Sequence, residues 1–343
     1  MRKQKLTWWL ILVAVLVLMA TDLAAKSPAK SDEADPQDRT WTVAIIADLN
    51  ESYGSTHYNE HVVRAVEWIS EDLQPDLVLV PGDMVAGQRE GLDYPAMWDA
   101  FHATVTDRLA EAGIPMAVSP GNHDASEQPR FWEERIEFAR QWSLRRPQLM
   151  FVEDSFYPFY YAFEMGSALF ISLDGTGVGE LDGAQLAWLE TVLEQNAHLE
   201  VSFLLSHVPQ YAVAQGRERE VFNDDRLAEL MDEYDVDMMV SGHHHAYYPA
   251  RRNGTYLLHA AALGSGPRAL VGEPQRSPRN VTVVQFNAEG IQAIEAYESP
   301  DFDRIVDHGD LPENLGDDEL KLWRMDIEPE RGDESDDEEF PDS

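Results

Sequence analysis

Asp48-Leu49-Asn50, Gly82-Asp83, Gly121-Asn122-His123-Asp124, His207 and Gly242-His243-His244-His245 are five polar motifs, each following an apolar run that reads as a β-strand. Their carboxylate, amide-oxygen and imidazole donors are hard or borderline ligands, which suit Mn, Fe or Zn rather than a soft metal. An Asp lying between two ions bridges them. Two ions roughly 3.5–4 Å apart share a hydroxide and clamp a phosphoryl group. The chain has no cysteine, so thiolate chemistry, disulfides and Cys-ligated zinc are excluded.

Donors this far apart in sequence meet only if the elements before them end together. Trp41–Ala47, Asp76–Val80 and Ile114–Val118 read as strands, separated by helices over about 59–73 and 96–112. Pro129 to Trp142 is a further helix, with Pro129 suited to its first turn. Gly166-Ser167 joins strands 160–165 and 168–173 as a hairpin. A helix over 181–196 follows, then strands 201–205, 237–240, 255–260, 281–286 and 291–297. Strands alternating with helices, then antiparallel strands, predict an α/β chain: two packed mixed sheets with helices outside. The carboxyl ends of strands in such a sheet open into one crevice, which is where the motifs fall. Gly82, Gly121 and Gly242 let the backbone turn sharply beside them.

Arg2, Lys3 and Lys5 precede an uncharged apolar stretch over 6–21, short for a membrane span of roughly 20 residues. Residues 1–25 read as an export signal peptide or an N-terminal membrane anchor, and either places the rest outside the cytoplasm, periplasmic or secreted. Residues 26–39 read as a flexible linker, 40–300 as the folded domain and 301–343 as a largely disordered acidic tail. The formal charge is −37, and the tail's 18 acidic against 4 basic residues supply −14 of it. Such acidity opposes binding to nucleic-acid backbones.

The Gly-Asn-His-Asp and Gly-His-x-His pair at 121–124 and 242–245, in this order on strand ends, resembles the calcineurin-like metallophosphoesterases, which include the purple acid phosphatases. Leu173-Asp174, Gln185–Leu189 and His207–Tyr211 resemble the phosphatase-like branch, and the match covers about 41–297. The resemblance implies the four-layer α/β/β/α sandwich of that family and two transition metal ions. Asp48 and His245 would bind the first, Asn122, His207 and His243 the second, with Asp83 between them. A metal-bridging hydroxide would attack the phosphorus of a small phosphorylated substrate. His123 would protonate the leaving oxygen or stabilise transition-state charge, and Asp124 would orient it. Two positions depart from the family. Asn50 stands where a His is often found, leaving its carbonyl as the remaining ligand candidate, with His57 or Tyr53 as substitutes. Ala86 stands where the purple acid branch carries the tyrosine that gives the colour.

His244 reads as outward or behind the ligands, His259 as a core histidine, and His61, His102, His198 and His308 as surface residues. Asp174 reads equally as a residue behind the site or as the turn before Gly175. Gly264-Ser265-Gly266 reads as a loop near the site or a plain turn, and the segments after Pro129 and Pro209 as walls of the pocket. The leading expectation is an exported phosphoesterase. A non-catalytic metal-binding module with a thinned first site, and an extracytoplasmic nuclease, are the alternatives.

Overall fold

Alternate residues of the central strands face two different cores, which is why these strands read as unbroken apolar runs. The computed structural model describes residues 39–264, 266–316 and 320–328. Fourteen strands are named within them: β1 (Trp41–Ile45), β2 (Leu77–Pro81), β3 (Met116–Ser119), β4 (Met150–Phe156), β5 (Tyr160–Met165), β6 (Ala168–Ser172), β7 (Val201–Ser206), β8 (Met238–Ser241), β9 (Tyr248–Arg252), β10 (Thr255–His259), β11 (Asn280–Asn287), β12 (Gly290–Glu298), β13 (Asn314–Leu315) and β14 (Leu322–Arg324). The first sheet has the order β12-β11-β1-β2-β3, and the second β13-β14-β9-β10-β8-β7-β6-β5-β4. Both are mixed: β1, β2 and β3 run parallel, as do β6, β7, β8 and β10, with antiparallel strands at the flanks.

Val43, Ile45, Leu77 and Leu79 from the first sheet meet Phe170, Phe203, Leu205 and Val240 from the second in a core between the sheets. Phe163, Phe170 and Phe203 stack at centroid spacings of 5.0 and 4.6 Å, and Phe286 of the first sheet meets Phe203 edge-on at 5.3 Å. The intervening residues face outward onto helices. Ala44, Val78, Val80 and Val118 pack with Val62 of α1 (Glu60–Trp68), Trp98 and Phe101 of α2 (Tyr94–Phe101), Leu109 of α3 (Asp107–Glu111) and Phe138 and Trp142 of α4 (Trp132–Leu144). Leu169, Ile171, Leu204 and Met239 pack with Leu189 of α5 (Gly183–Gln195) and Leu227 and Leu230 of α6 (Asp225–Glu233). This is the expected four-layer α/β/β/α order.

Three differences from the expected elements have physical causes. The helix expected over 96–112 is α2 and α3 joined through a wider π turn at His102–Thr106. Strands β4 and β9 and helix α6 were not expected. β4 is an edge strand whose residues are mostly exposed, and Glu153-Asp154-Ser155 cuts its apolar start, Met150–Val152, short. The start of the acidic tail is also corrected. Leu322–Arg324 pairs with β9 and Asn314–Leu315 with β14, so the sheet continues past residue 300. Leu315 and Leu322 supply the apolar contacts of that segment and are buried despite their acidic neighbours. The signal or anchor segment (1–25), the linker up to residue 38 and the terminal part of the tail (329–343) lie outside the described residues.

Candidate dinuclear metal site

Strands β1, β2 and β3 of one sheet and β7 and β8 of the other end at the same edge, and the five motifs start there. Hydrogen bonds lock the turns together. The Leu49 and Asn50 amides donate to Asp83 O, the Gly242 amide to His207 O and the Gly264 amide to Asp48 O, all at 2.8–3.1 Å. Two glycines are demanded by contact. A Cβ on Gly121 would sit 2.1 Å from the Asp83 nitrogen, and one on Gly82 would sit 2.6 Å from the Gly121 Cα. Asp48, Asp83, His243 and His245 all hold positive φ, between 51° and 64°. Non-glycine residues rarely adopt that region, and such strain clusters where the surrounding structure fixes a functional side chain.

Two donor groups result. Ligand atoms of Asp48, Asp83 and His245 lie within 4.8 Å of one another, and all three residues are buried. The second group surrounds Asn122 Oδ1. His207 Nε2 lies 2.8 Å from it and His243 Nδ1 3.0 Å. Those two nitrogens are 3.2 Å apart, and His207 Nε2 is 3.4 Å from Asp83 Oδ1.

The far ring nitrogens decide what these distances mean. His207 Nδ1 faces Pro81 O at 2.9 Å, His243 Nε2 faces the Glu220 carboxylate at 2.9 Å, and His245 Nδ1 faces Gly266 O at 3.1 Å. Carbonyl and carboxylate oxygens only accept, so in the neutral rings those nitrogens carry the protons. The inward nitrogens then present lone pairs to each other, to Asn122 Oδ1 and to Asp83 Oδ1. Acceptors crowded this closely without a donor repel one another, and a cation about 2.0–2.2 Å from each resolves the conflict. Oxygen partners on the outer ring nitrogens are how proteins orient ligating histidines. The residues present therefore fit two metal ions, with Asp83 between the two groups.

Titratable groups of the site are shifted from their ordinary values. Burial raises the Asp48 carboxyl, but His245, His207 and His243 outweigh it and hold the group well below the usual carboxylate range. The bond from His243 holds Glu220 down at about 2. Burial lowers the His243 ring.

Several expected roles change. Asn50 was a candidate ligand, but its Nδ2 faces Asp83 Oδ2 at 3.5 Å and Val85 O at 3.4 Å. An amide nitrogen has no lone pair to offer, so this group is a donor to Asp83. Asp124 was expected to orient His123. Its carboxylate instead accepts the Val85 and Gly121 amides at 2.8 and 3.0 Å, which ties the second and third motifs together. The His123 ring rests on Gly87 O through Nδ1 at 3.2 Å, leaving Nε2 4.0 Å from Asp83 Oδ2.

Tyr53 lies over the His123 ring, with centroids 5.4 Å apart, and lines the pocket. His57 is exposed and bonds locally to Thr56, away from the site. His244 is buried, not outward: its Nδ1 takes the Val213 and Ala214 amides and its Nε2 meets Glu220 O, so it braces the 213–220 loop. His102 is buried too, between Thr106 and Gln141, and burial lowers its ring to about 4. His61 and His308 are half-buried against Ser299 and Tyr247. His259 is a core residue. Asp174 pairs with Arg135, beside the site pocket and not in it.

The pocket above the donors has a volume of about 400 Å³. The 209–224 loop supplies Arg217 and Glu220 to its wall, as expected of the segment after Pro209, and Arg268 lines it two residues after Gly266. Glu220, Arg217, Arg268 and the Gly87 carbonyl had no motif to mark them.

Residues 42–247 match the model of the calcineurin-like phosphoesterases. The chain belongs to that family. Its curated relatives include plant purple acid phosphatases, so the resemblance to that branch holds. One relative, phosphoenolpyruvate phosphatase from onion (Allium cepa), is 24% identical over 77% of this chain and 53% of its own. The chain spans between 30% and 53% of the length of the curated relatives it matches. Among solved structures, a purple acid phosphatase from yellow lupin (Lupinus luteus) seeds superposes with a TM-score of 0.61 at 18% identity, over 80% of this chain and 54% of its own. A dimetal phosphatase from Danio rerio gives a TM-score of 0.53 at 15% identity, over 77% of this chain and 96% of its own. These structures share the fold.

Proposed function

We propose that this protein is an exported, metal-dependent phosphoesterase acting on a small phosphorylated substrate. The observation that carries the reading is the convergence of imidazole lone pairs with Asn122 Oδ1 and Asp83 Oδ1, next to the Asp48, Asp83 and His245 group. Asp48, Asp83 and His245 would hold one ion, and Asp83, Asn122, His207 and His243 the other; Mn, Fe and Zn all suit these donors. When bound, the ions acidify a shared water and neutralise the phosphoryl oxygens.

The chain's own residues do the rest. With Nδ1–H held by Gly87 O, His123 turns Nε2 toward the pocket. In its imidazolium form the ring also carries Nε2–H, which passes to the departing ester oxygen and leaves the neutral ring with its proton on Nδ1. Glu220, Pro81 and Gly266 fix the ligating rings. Tyr53 and Val178 form apolar walls against which a small organic group packs. A pocket of this size in a chain of charge −37 suits a small ester better than a nucleic-acid strand. Export rests on the basic residues 2–5 and the apolar run over 6–21, which also offers the one membrane attachment the reading needs.

His123→Ala tests the assignment. Turnover of aryl phosphomonoesters and diesters, with Mn, Fe or Zn supplied, is expected to fall by about 10²- to 10⁴-fold, while metal content stays at two ions per chain. Loss of the metals in that variant contradicts the role given to His123.

The donor orientation of Asn50 favours a second reading, a metal-binding module without turnover, because it leaves the first ion three protein ligands. Two bound ions with no turnover of any ester would select it.

A further inference from the structure

Among the described residues, Arg268 has no ion-pair partner. It is half-buried in the pocket wall, and its Nη1 donates to His243 O at 3.1 Å. Among the described residues no carboxylate pairs with it, although the chain has 63 acidic residues against 26 Lys and Arg. Most of the five donors of its guanidinium remain for something else. Arg217 lines the same pocket and is paired with Glu220, which holds His243. Both arginines therefore stand on the His243 side. Gln88, Gln128 and Glu127, which packs over Gly177, also line the pocket.

We propose that Arg268, with Arg217 behind it, binds a second oxyanion of the substrate beside the scissile phosphoryl group. The preferred substrates are then small phosphomonoesters that carry a further carboxylate or phosphate. A planar guanidinium suits such a group because two parallel N–H bonds meet two oxygens. This rests on the phosphoesterase reading and names its substrate class.

The test compares matched esters on the metal-loaded full chain. Phosphoglycolate and ethylene glycol bisphosphate are each measured against ethyl phosphate, separating carboxylate from phosphate. The expected result is a kcat/KM at least about tenfold higher for one or both esters that carry the second anionic group. Arg268→Gln brings that ratio close to one, and Arg268→Lys keeps part of it. Equal loss on all three esters in Arg268→Gln would put the guanidinium on the scissile phosphoryl and overturn the proposal. So would a wild-type ratio near one.

Calorimetric binding of phosphonoacetate against ethylphosphonate provides a readout independent of turnover. If no ester is hydrolysed, the phosphoesterase reading fails, and the ratio of the two affinities still decides the Arg268 proposal. A tenfold preference for phosphonoacetate, lost in Arg268→Gln, supports it; equal affinities overturn it.

Discussion

Asn50 shows how one residue changes meaning between sequence and structure. Its position in the first motif marks it as a ligand, and its amide nitrogen instead faces Asp83 Oδ2 and Val85 O. Asp83 is the opposite case: its type and place predict the residue between two ions, and it lies in contact with both donor groups. The two substitutions should therefore separate. Asn50→Ala removes one weak donor, so metal content should stay at two ions per chain and kcat/KM should fall by less than about tenfold. Asp83→Asn withdraws a charged ligand from both groups, and metal analysis should find both ions depleted. Equal metal loss in the two variants would return Asn50 to the ligand set. The motif residues were legible because ligand chemistry restricts their types. Glu220, Arg268 and the Gly87 carbonyl were not, because any residue type can supply a carbonyl and acidic or basic side chains are common on loops. Their roles follow only from how the Gly87–Gln88 turn, the 209–224 loop and the chain around Arg268 return to the site.

At the scale of elements, helix α4 bears on the site through Glu134. This residue is buried under the Gly87–Gln88 turn, where its Oε1 accepts the Gln88 amide and the Tyr94 hydroxyl. The same turn supplies the carbonyl on which His123 rests. Burial raises the Glu134 carboxyl from 4.5 to about 7, against the pull of the Gln88 and Tyr94 bonds. The folded chain thus holds this proton more tightly than the unfolded chain. The resulting stability is fully present below pH 4.5 and is lost as pH rises through 7. Glu134→Gln keeps a neutral group at all pH values. Its stability relative to wild type, from urea unfolding, should therefore increase by roughly 2 kcal/mol between pH 5 and pH 8. A constant difference across that range would show that Glu134 does not titrate there. The sequence made the helix legible through Pro129, which lies in the 3-10 turn leading into α4, but not the buried carboxyl. Helical spacing shows which residues face inward, and only the turn above them gives a buried acid its partners. β13 and β14 escaped reading because they span two and three residues in an acidic segment, so neither carries the apolar run by which a buried strand is recognised.

For the whole molecule, the site is also a joint. Asp48, Asp83 and Asn122 follow strands of the first sheet, and His207, His243 and His245 follow strands of the second. Ions bound between them cross-link two layers otherwise joined by the shared apolar core. The folded chain presents these donors together and the unfolded chain does not, so binding free energy adds to stability. At a free metal concentration a hundredfold above Kd, one site contributes about 2.7 kcal/mol. For a domain of this size each kcal/mol moves the melting temperature by about 2 °C, so one saturated site is worth about 5 °C and two worth more. A chelator should remove that increment, and re-addition of Mn or Zn should restore it. Salt must be held constant, because a chain of charge −37 gains stability from screening alone. Asp48→Ala and His207→Ala each dismantle one donor group, so each should retain only part of the metal-dependent increment, and the double variant none. Should metal leave the melting temperature of the wild type unchanged at constant ionic strength, the two donor groups do not bind ions across the sheets. The crowded lone pairs around Asn122 Oδ1 would then need another cation, a protonated histidine, to explain them.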